Sequence, residues 1–297
     1  MKKSMLLIAA FAFSASAAFA QDLTSKKGEA YLPAAGDWSI GIDATPVLNY
    51  VGGFLSSAGG VAPTWDYLNS NQAIIGKMYK DESHATRAIL RIGINSMTQK
   101  EMIKDATVIT SPTYPYLPAM VEDKMKSSST YVGVGLGKEW RRGKTRLQGF
   151  YGVDAMIMFN SAKSTYTYGN KLSSIVGVDT STTTNFDSNI GLTIEDSYGY
   201  AARITEMKSG NTIGISVRGF VGCEYFILPK ISIGAEFGWG FGFGIFGASS
   251  TTMESITTTG TVGSQTVEGS KASGLMLDTD TNGSGSSNAS LRMNFHF

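Results

Sequence analysis

The chain carries two histidines, His84 and His296, in a sequence where serine and carboxylates are frequent. A His beside a Ser and an Asp or Glu could support nucleophilic or general-base chemistry. His84 follows Asp81-Glu82-Ser83, and His296 is the penultimate residue. Neither lies in a G-x-S-x-G or an H-E-x-x-H pattern, so chance placement is the expected reading and no catalytic residue is assigned. Asp278-Thr279-Asp280-Thr281-Asn282-Gly283 opens like a calcium loop, with alternate oxygen ligands before a glycine turn. Its twelfth position is Ala289 where a bidentate Glu is required; the segment reads as a polar loop end. The glycines at 234, 238, 240, 242, 244 and 247 have the wrong period for a phosphate loop, with no following helix, Lys or Thr. No metal or cofactor is expected. Cys223 is the single cysteine, so no intramolecular disulfide can form.

A different constellation is more informative. Asp43, Glu139, Asp154, Glu224 and Glu236 match Arg87, Arg91, Arg146, Arg218 and Arg292 in number, and each alternates with apolar neighbours. Such alternation is the mark of strands, and eight segments show it. They run over about 36–50, 71–80, 84–97, 130–140, 145–160, 212–228 and 230–246, followed by the C-terminal strand ending at Phe297. The seventh is the clearest: Ile231, Ile233, Ala235, Phe237, Trp239, Phe241, Phe243 and Ile245 oppose Ser232, Gly234, Glu236 and Gly238. In a soluble sandwich the charged face would meet water and need no matching. In a sheet closed within lipid, the apolar face turns outward and the small and charged face inward. The ten charges are therefore read as an internal ion-pair network. Trp38, Tyr50, Trp140, Tyr225 and Phe297 fall near strand ends, as an aromatic girdle would.

The connections fit. Strands two and three, four and five, and six and seven are joined by Asp81-Glu82-Ser83, Arg141-Arg142-Gly143-Lys144 and Pro229-Lys230, all tight polar turns. The other links are long, about 51–70, 98–129, 161–211 and 247–287. An even strand number with short and long links in alternation predicts an up-and-down antiparallel transmembrane β-barrel, all-β, with the long loops outside. Residues 1–20 read as a signal peptide: Lys2 and Lys3, the apolar stretch Met5 to Phe13, and the cleavage site Ala18-Phe19-Ala20. Residues 21–35 are then a short periplasmic segment, and 36–297 the barrel. Cleavage shifts the formal net charge from +1 to −1. No basic stripe is present, and nucleic acid is excluded as a partner.

Gly36-Asp37-Trp38-Ser39-Ile40-Gly41, Pro229-Lys230-Ile231-Ser232-Ile233-Gly234 and the ending Asn294-Phe295-His296-Phe297 resemble the outer membrane protein β-barrel domain family, the small eight-stranded barrels of Gram-negative bacteria. The resemblance implies a cell outer-membrane location, outer-membrane lipid as surroundings, and Phe295 and Phe297 as the signal read by the barrel assembly machinery. Barrel enzymes that modify lipid A, and barrel proteases, place a His near the outer rim; His84 and His296 fall at the opposite end. The expected role is non-catalytic, structural or surface-interacting, with a protein or host-surface ligand at the loops. A narrow ion or small-solute channel is the alternative, a lipid-modifying enzyme a weaker one. Eight strands enclose a space that side chains nearly fill, which disfavours a wide pore.

Overall fold

Sustained alternation of large apolar with small or polar residues gives strands, and strands are the only regular elements among the described residues. The computed structural model describes residues 23–44, 74–108, 118–173, 176–178, 183–184, 186, 194–279 and 290–297. Thirteen strands occur there: β1 (Trp38–Asp43), β2 (Ile74–Asp81), β3 (His84–Lys104), β4 (Met120–Arg142), β5 (Leu147–Thr167), β6 (Ile194–Glu195), β7 (Ala201–Lys208), β8 (Thr212–Leu228), β9 (Ile231–Phe246), β10 (Ser250–Ile256), β11 (Val262–Glu268), β12 (Ala272–Thr279) and β13 (Ser290–His296). All belong to one antiparallel sheet. Eight of them form a ring in the order β1, β2, β3, β4, β5, β8, β9, β13, and β13 pairs back onto β1. The joint runs from Ser39 opposite His296 to Asp43 opposite Arg292. At its end the Trp38 and Phe297 amides each bond the other's carbonyl, at 3.2 and 2.8 Å, and their rings stack 4.4 Å apart.

Thirteen strands stand where alternation predicts eight. The extra ones come from the long connections. β3 continues to Lys104 rather than ending near Met97, and β4 starts at Met120, so the link expected over 98–129 shrinks to 105–119. β6 and β7 lie within 161–211; β10, β11 and β12 lie within 247–287. These stretches are rich in Ser, Thr and Lys, so no consistently apolar face announces them, although β7 buries Ala202 and Ile204 and β10 buries Met253 and Ser255. Cross-strand pairing holds them instead: β3 and β4 match residue for residue from His84–Trp140 to Lys104–Met120. The eighth ring position is also divided. β13 pairs the first part of β9, and β12 pairs the rest, from Thr279 opposite Trp239 to Ala272 opposite Phe246. The signal peptide, Tyr50, the 51–70 connection and most of the calcium-like segment lie outside the described residues.

Two short turns form where expected, at Glu82-Ser83 and Pro229-Lys230; the middle one lies at 143–146 rather than 141–144, because Arg141 and Arg142 stay paired in β4. Lys230 has φ 69°, which with Pro229 before it is the φ pattern of a type II turn. Asp81 braces the first turn: its carboxylate accepts from the Ser83 amide and hydroxyl, both at 2.7 Å, and meets His84 Nδ1 at 2.8 Å. The Ser83 bonds first, then His84, hold this exposed carboxyl well below the usual range.

Glycine makes room inside the ring. Around one circuit Glu139, Gly152, Phe220 and Gly238 lie in register on successive strands. A Cβ on Gly152 would run into the Lys138 carbonyl and the Phe220 ring; one on Gly222 would strike the Phe150 ring; one on Gly137 would strike the Asp154 carboxylate. Each bulky inward group leans over a neighbour without a side chain. Gly152→Ala should therefore lower stability by about 1–3 kcal/mol through overpacking. Gly219→Ala, with nothing within 4 Å of the new carbon, should leave it unchanged. Urea titration of the two variants, followed by tryptophan fluorescence, checks the contrast.

Candidate functional site

The inward positions carry the charges, and burial shows how completely. Lys77, Arg87, Glu139, Arg141, Asp154, Arg218, Glu224, Glu236 and Arg292 are each at most 8% exposed. They form two linked groups. In the first, Arg87 grips Glu236 with both terminal nitrogens, at 2.9 and 3.3 Å, and its Nε lies 3.4 Å from Asp154. Arg218 reaches the same Glu236 at 2.6 Å and Asp154 at 3.7 Å. In the second, Glu139 receives Lys77 at 2.9 Å and Arg141 at 2.8 Å. Arg141 extends to Glu224 at 2.7 Å. Glu139 joins the groups, since Arg87 Nη1 is 3.4 Å from its second oxygen.

Aromatic rings fill the space between these ions. The Arg87 guanidinium lies 3.9 Å over Phe220, and Lys77 Nζ lies 4.8 Å over Phe150. Arg141 faces Tyr79 at 5.2 Å. Such contacts recover part of the solvation that burial removes.

Of the ten residues expected in the network, seven lie on the inward face and are buried, and Asp43 sits at a matching backbone position. Asp43 faces Arg292 in register; its side chain lies outside the described residues. Two belong elsewhere. Arg146 sits in the turn, donating to the Phe226 and Ile227 carbonyls and stacking 4.0 Å over Tyr31 of the N-terminal segment. Arg91 is half-buried, 4.1 Å over Tyr131, farther along β3 than the ion pairs. Lys77 and Arg141 take their places. Arg141 shares parity with Glu139, but its neighbours Arg142, Gly143 and Lys144 give the segment the composition of a turn. Lys77 was hidden because β2 is the least regular strand; its signal is the alternation Ile75, Lys77, Tyr79, all buried.

His296 is drawn into the second group. Its Nε2 is 2.9 Å from Ser232 Oγ and 3.6 Å from Glu224 Oε1. Ser232 Oγ donates to Glu224 Oε1 at 2.5 Å, and Asn294 Nδ2 donates to the same oxygen at 2.5 Å. A relay would need the carboxylate on Nδ1 and the serine on Nε2. Here both meet one ring edge, the serine proton is directed at Glu224, and Ser232 is fully buried. The arrangement directs the Ser232 hydroxyl and the Asn294 amide at Glu224, while His296 Nδ1 has no hydrogen-bond partner and no carboxylate behind it among the described residues. His84, the other histidine, is exposed at the first short turn with Asp81 and Ser83.

The long-hairpin end has its own buried polar anchors. Asp123, fully buried, accepts from the Gly169 and Thr184 amides at 2.8 and 2.9 Å. Asn170 accepts from the Ala106 amide and donates to the Lys104 carbonyl. Arg203 pairs with Glu254 at 2.7 Å, linking β7 to β10. Asp196 accepts from the Ser255 hydroxyl and the Tyr198 and Tyr200 amides, and these bonds, Ser255 first, hold its carboxyl below the usual range.

Breaking a buried pair from one side should be costly. Glu224→Leu takes from Arg141 its 2.7 Å partner and from Ser232 and Asn294 their shared acceptor, and the expected loss is about 3–5 kcal/mol. The double variant Glu224→Leu with Arg141→Met should regain much of it. Arg142→Gln, at an exposed turn end, should stay within about 0.5 kcal/mol. Urea midpoints of the four proteins test the series.

No family model matches the chain, and neither the characterised proteins nor the solved structures include one similar to it.

Proposed function

We propose that this chain is an integral outer-membrane protein whose eight-strand ring is a transmembrane β-barrel, and that its role is non-catalytic, carried by the paired hairpins at the long-connection end. One observation carries the reading: the outward face holds a continuous apolar belt in strict register. Ile74, Leu90, Val134, Ile157, Ile215, Phe243 and Leu275 stand side by side on seven strands. Their exposures run from 42% to 67%. The next row adds Ile92, Val132, Phe159, Ile213 and Ile245. A folded protein in water does not display unbroken rows of this kind, and buried ions with exposed Ile and Phe invert the soluble arrangement.

Aromatic pairs mark the short-turn side of the belt. Trp140 stacks on Tyr151 at 5.7 Å, as Trp38 does on Phe297. Crossing lipid takes about 9–11 residues of a tilted strand. β3, β4 and β5 have 21, 23 and 21 residues, so their far halves stand clear of the bilayer as a braced platform. Contact with a protein or host surface is assigned to that platform. The ring's packed ions and rings leave the channel reading without support.

The full chain should require detergent for purification and should refold into lipid vesicles, migrating differently in electrophoresis before and after heating. Recovery as a water-soluble, detergent-free species would refute the proposal. Ile157→Arg, mid-belt, should cost about 2–4 kcal/mol in vesicles, whereas Ser128→Arg, beyond the belt, should cost about 1 kcal/mol or less. Equal costs would place neither residue in lipid.

A further inference from the structure

Immediately past the belt, on the long-hairpin side, the outward face turns basic over one arc. On β5, Phe159 is followed on that face by Ser161 and Lys163. On β4, Val132 gives way to Thr130, Ser128, Lys126 and Lys124; on β3, Ile94 gives way to Ser96, Thr98 and Lys100. Lys163 stands directly opposite Lys208 of β7, and Lys100 directly opposite Lys124. Like charges set across from each other destabilise a sheet. Glu206, 2.5 Å from both Lys163 and Lys208, offsets the first pair, and Glu122, 3.0 Å from Lys100, the second. Five lysines against two carboxylates leave the arc positive.

A groove of about 420 Å³ opens between Lys163 and Lys208, lined also by Ser161, Ser209, Asn211 and Ser250. Two ammonium groups with hydroxyl and amide donors form the donor set of a phosphate site. The exposed side chains of Phe159, Ile213 and Ile245 lie just below it on the same face. Resting on the membrane reading above, we infer that this groove binds the phosphate of an outer-leaflet lipid headgroup, with the acyl chains against those three residues. Lys163 and Lys208 hold one phosphate, and Lys124 and Lys126 meet a second on the same headgroup. A soluble anion would gain nothing from the apolar wall, which is why lipid is the source. The short-turn end also has exposed basic residues, Lys80, Lys138, Arg142 and Lys230, and supplies the control.

The test uses the full chain in phosphatidylcholine vesicles with a minor fraction of bisphosphorylated lipid A. Lipid A should co-purify through detergent exchange. Lys163→Gln with Lys208→Gln should weaken retention at least ten-fold, on an expectation of roughly five-fold per lysine near a charged surface. Glu206→Gln, which removes the competing carboxylate, should strengthen it, and Lys138→Gln should leave it unchanged. Millimolar inorganic phosphate should not displace the lipid. Undiminished retention by the double variant, equal loss with Lys138→Gln, or displacement by free phosphate would overturn the inference. If any of these occurs while every variant inserts and shifts on heating, the membrane reading survives alone. Failure of the parent chain to insert removes both.

Discussion

A sheet closed on itself has a fixed circumference, and every group it turns inward must be accommodated and satisfied within that circle. The rest of the structure follows from this. Large inward side chains are admitted only because glycine stands beside them in register, as Gly152 does for Phe220 and Gly222 for Phe150. In the ion cluster, carboxylates and cations are shared among several partners. Glu236 serves both Arg87 and Arg218, and Glu139 serves both Lys77 and Arg141. Replacing such ions by apolar groups is often neutral or stabilising, so the network is not there for stability alone. It keeps the inward face distinct from an outward face that is apolar across the belt.

That distinction is also what made the fold legible. Period-two alternation located the ring strands wherever one face was consistently apolar, β9 above all. It failed in two ways. In the far halves of β3, β4 and β5 both faces are polar, so the pattern loses contrast and residue-by-residue pairing takes over. At turns, parity continues past the point where polarity suggests a loop, and Arg141 was assigned to the wrong side of that boundary. Arg146 shows the converse error: an arginine of matching parity whose strand begins only at Leu147 and whose guanidinium serves turn carbonyls. Counting charges by sign alone gave a balanced set from partly wrong members. Balance is therefore weak evidence for any one pair, and position along the strand is the stronger guide.

The long connections were expected as solvated loops carrying whatever function the chain has. Where they are described, within 98–129, 161–211 and 247–279, they continue the sheet, and buried polar groups tie them. Asp123 fastens β4 to the segment after β5, Asn170 fastens that segment to the end of β3, and Arg203 with Glu254 fastens β7 to β10. Side chains such as Asp and Asn satisfy loop amides locally in sequence as a rule. Here they do so across 46 to 64 positions, which no local pattern announces. The result is a set of strands braced to one another by side chains distant in sequence.

The joint between first and last strands explains where the ions are concentrated. β1 and β13 have six and seven residues, against the 21 paired positions that join β3 to β4. With five residue pairs against four for β1 with β2, this joint is among the least paired in the ring. Four inward residues of β13, Ser290, Arg292, Asn294 and His296, are buried. Asn294 and His296 reach Glu224 on β8, one strand beyond their β9 neighbour, and Ser232 of β9 bonds both Glu224 and His296. Glu224 is held in turn by Arg141 of β4 and Lys77 of β2. The last strand is thus fastened across the interior to strands on both sides of the seam. A polar interior, costly to desolvate, supplies at the closing strand the directional bonds that an apolar filling of equal volume could not.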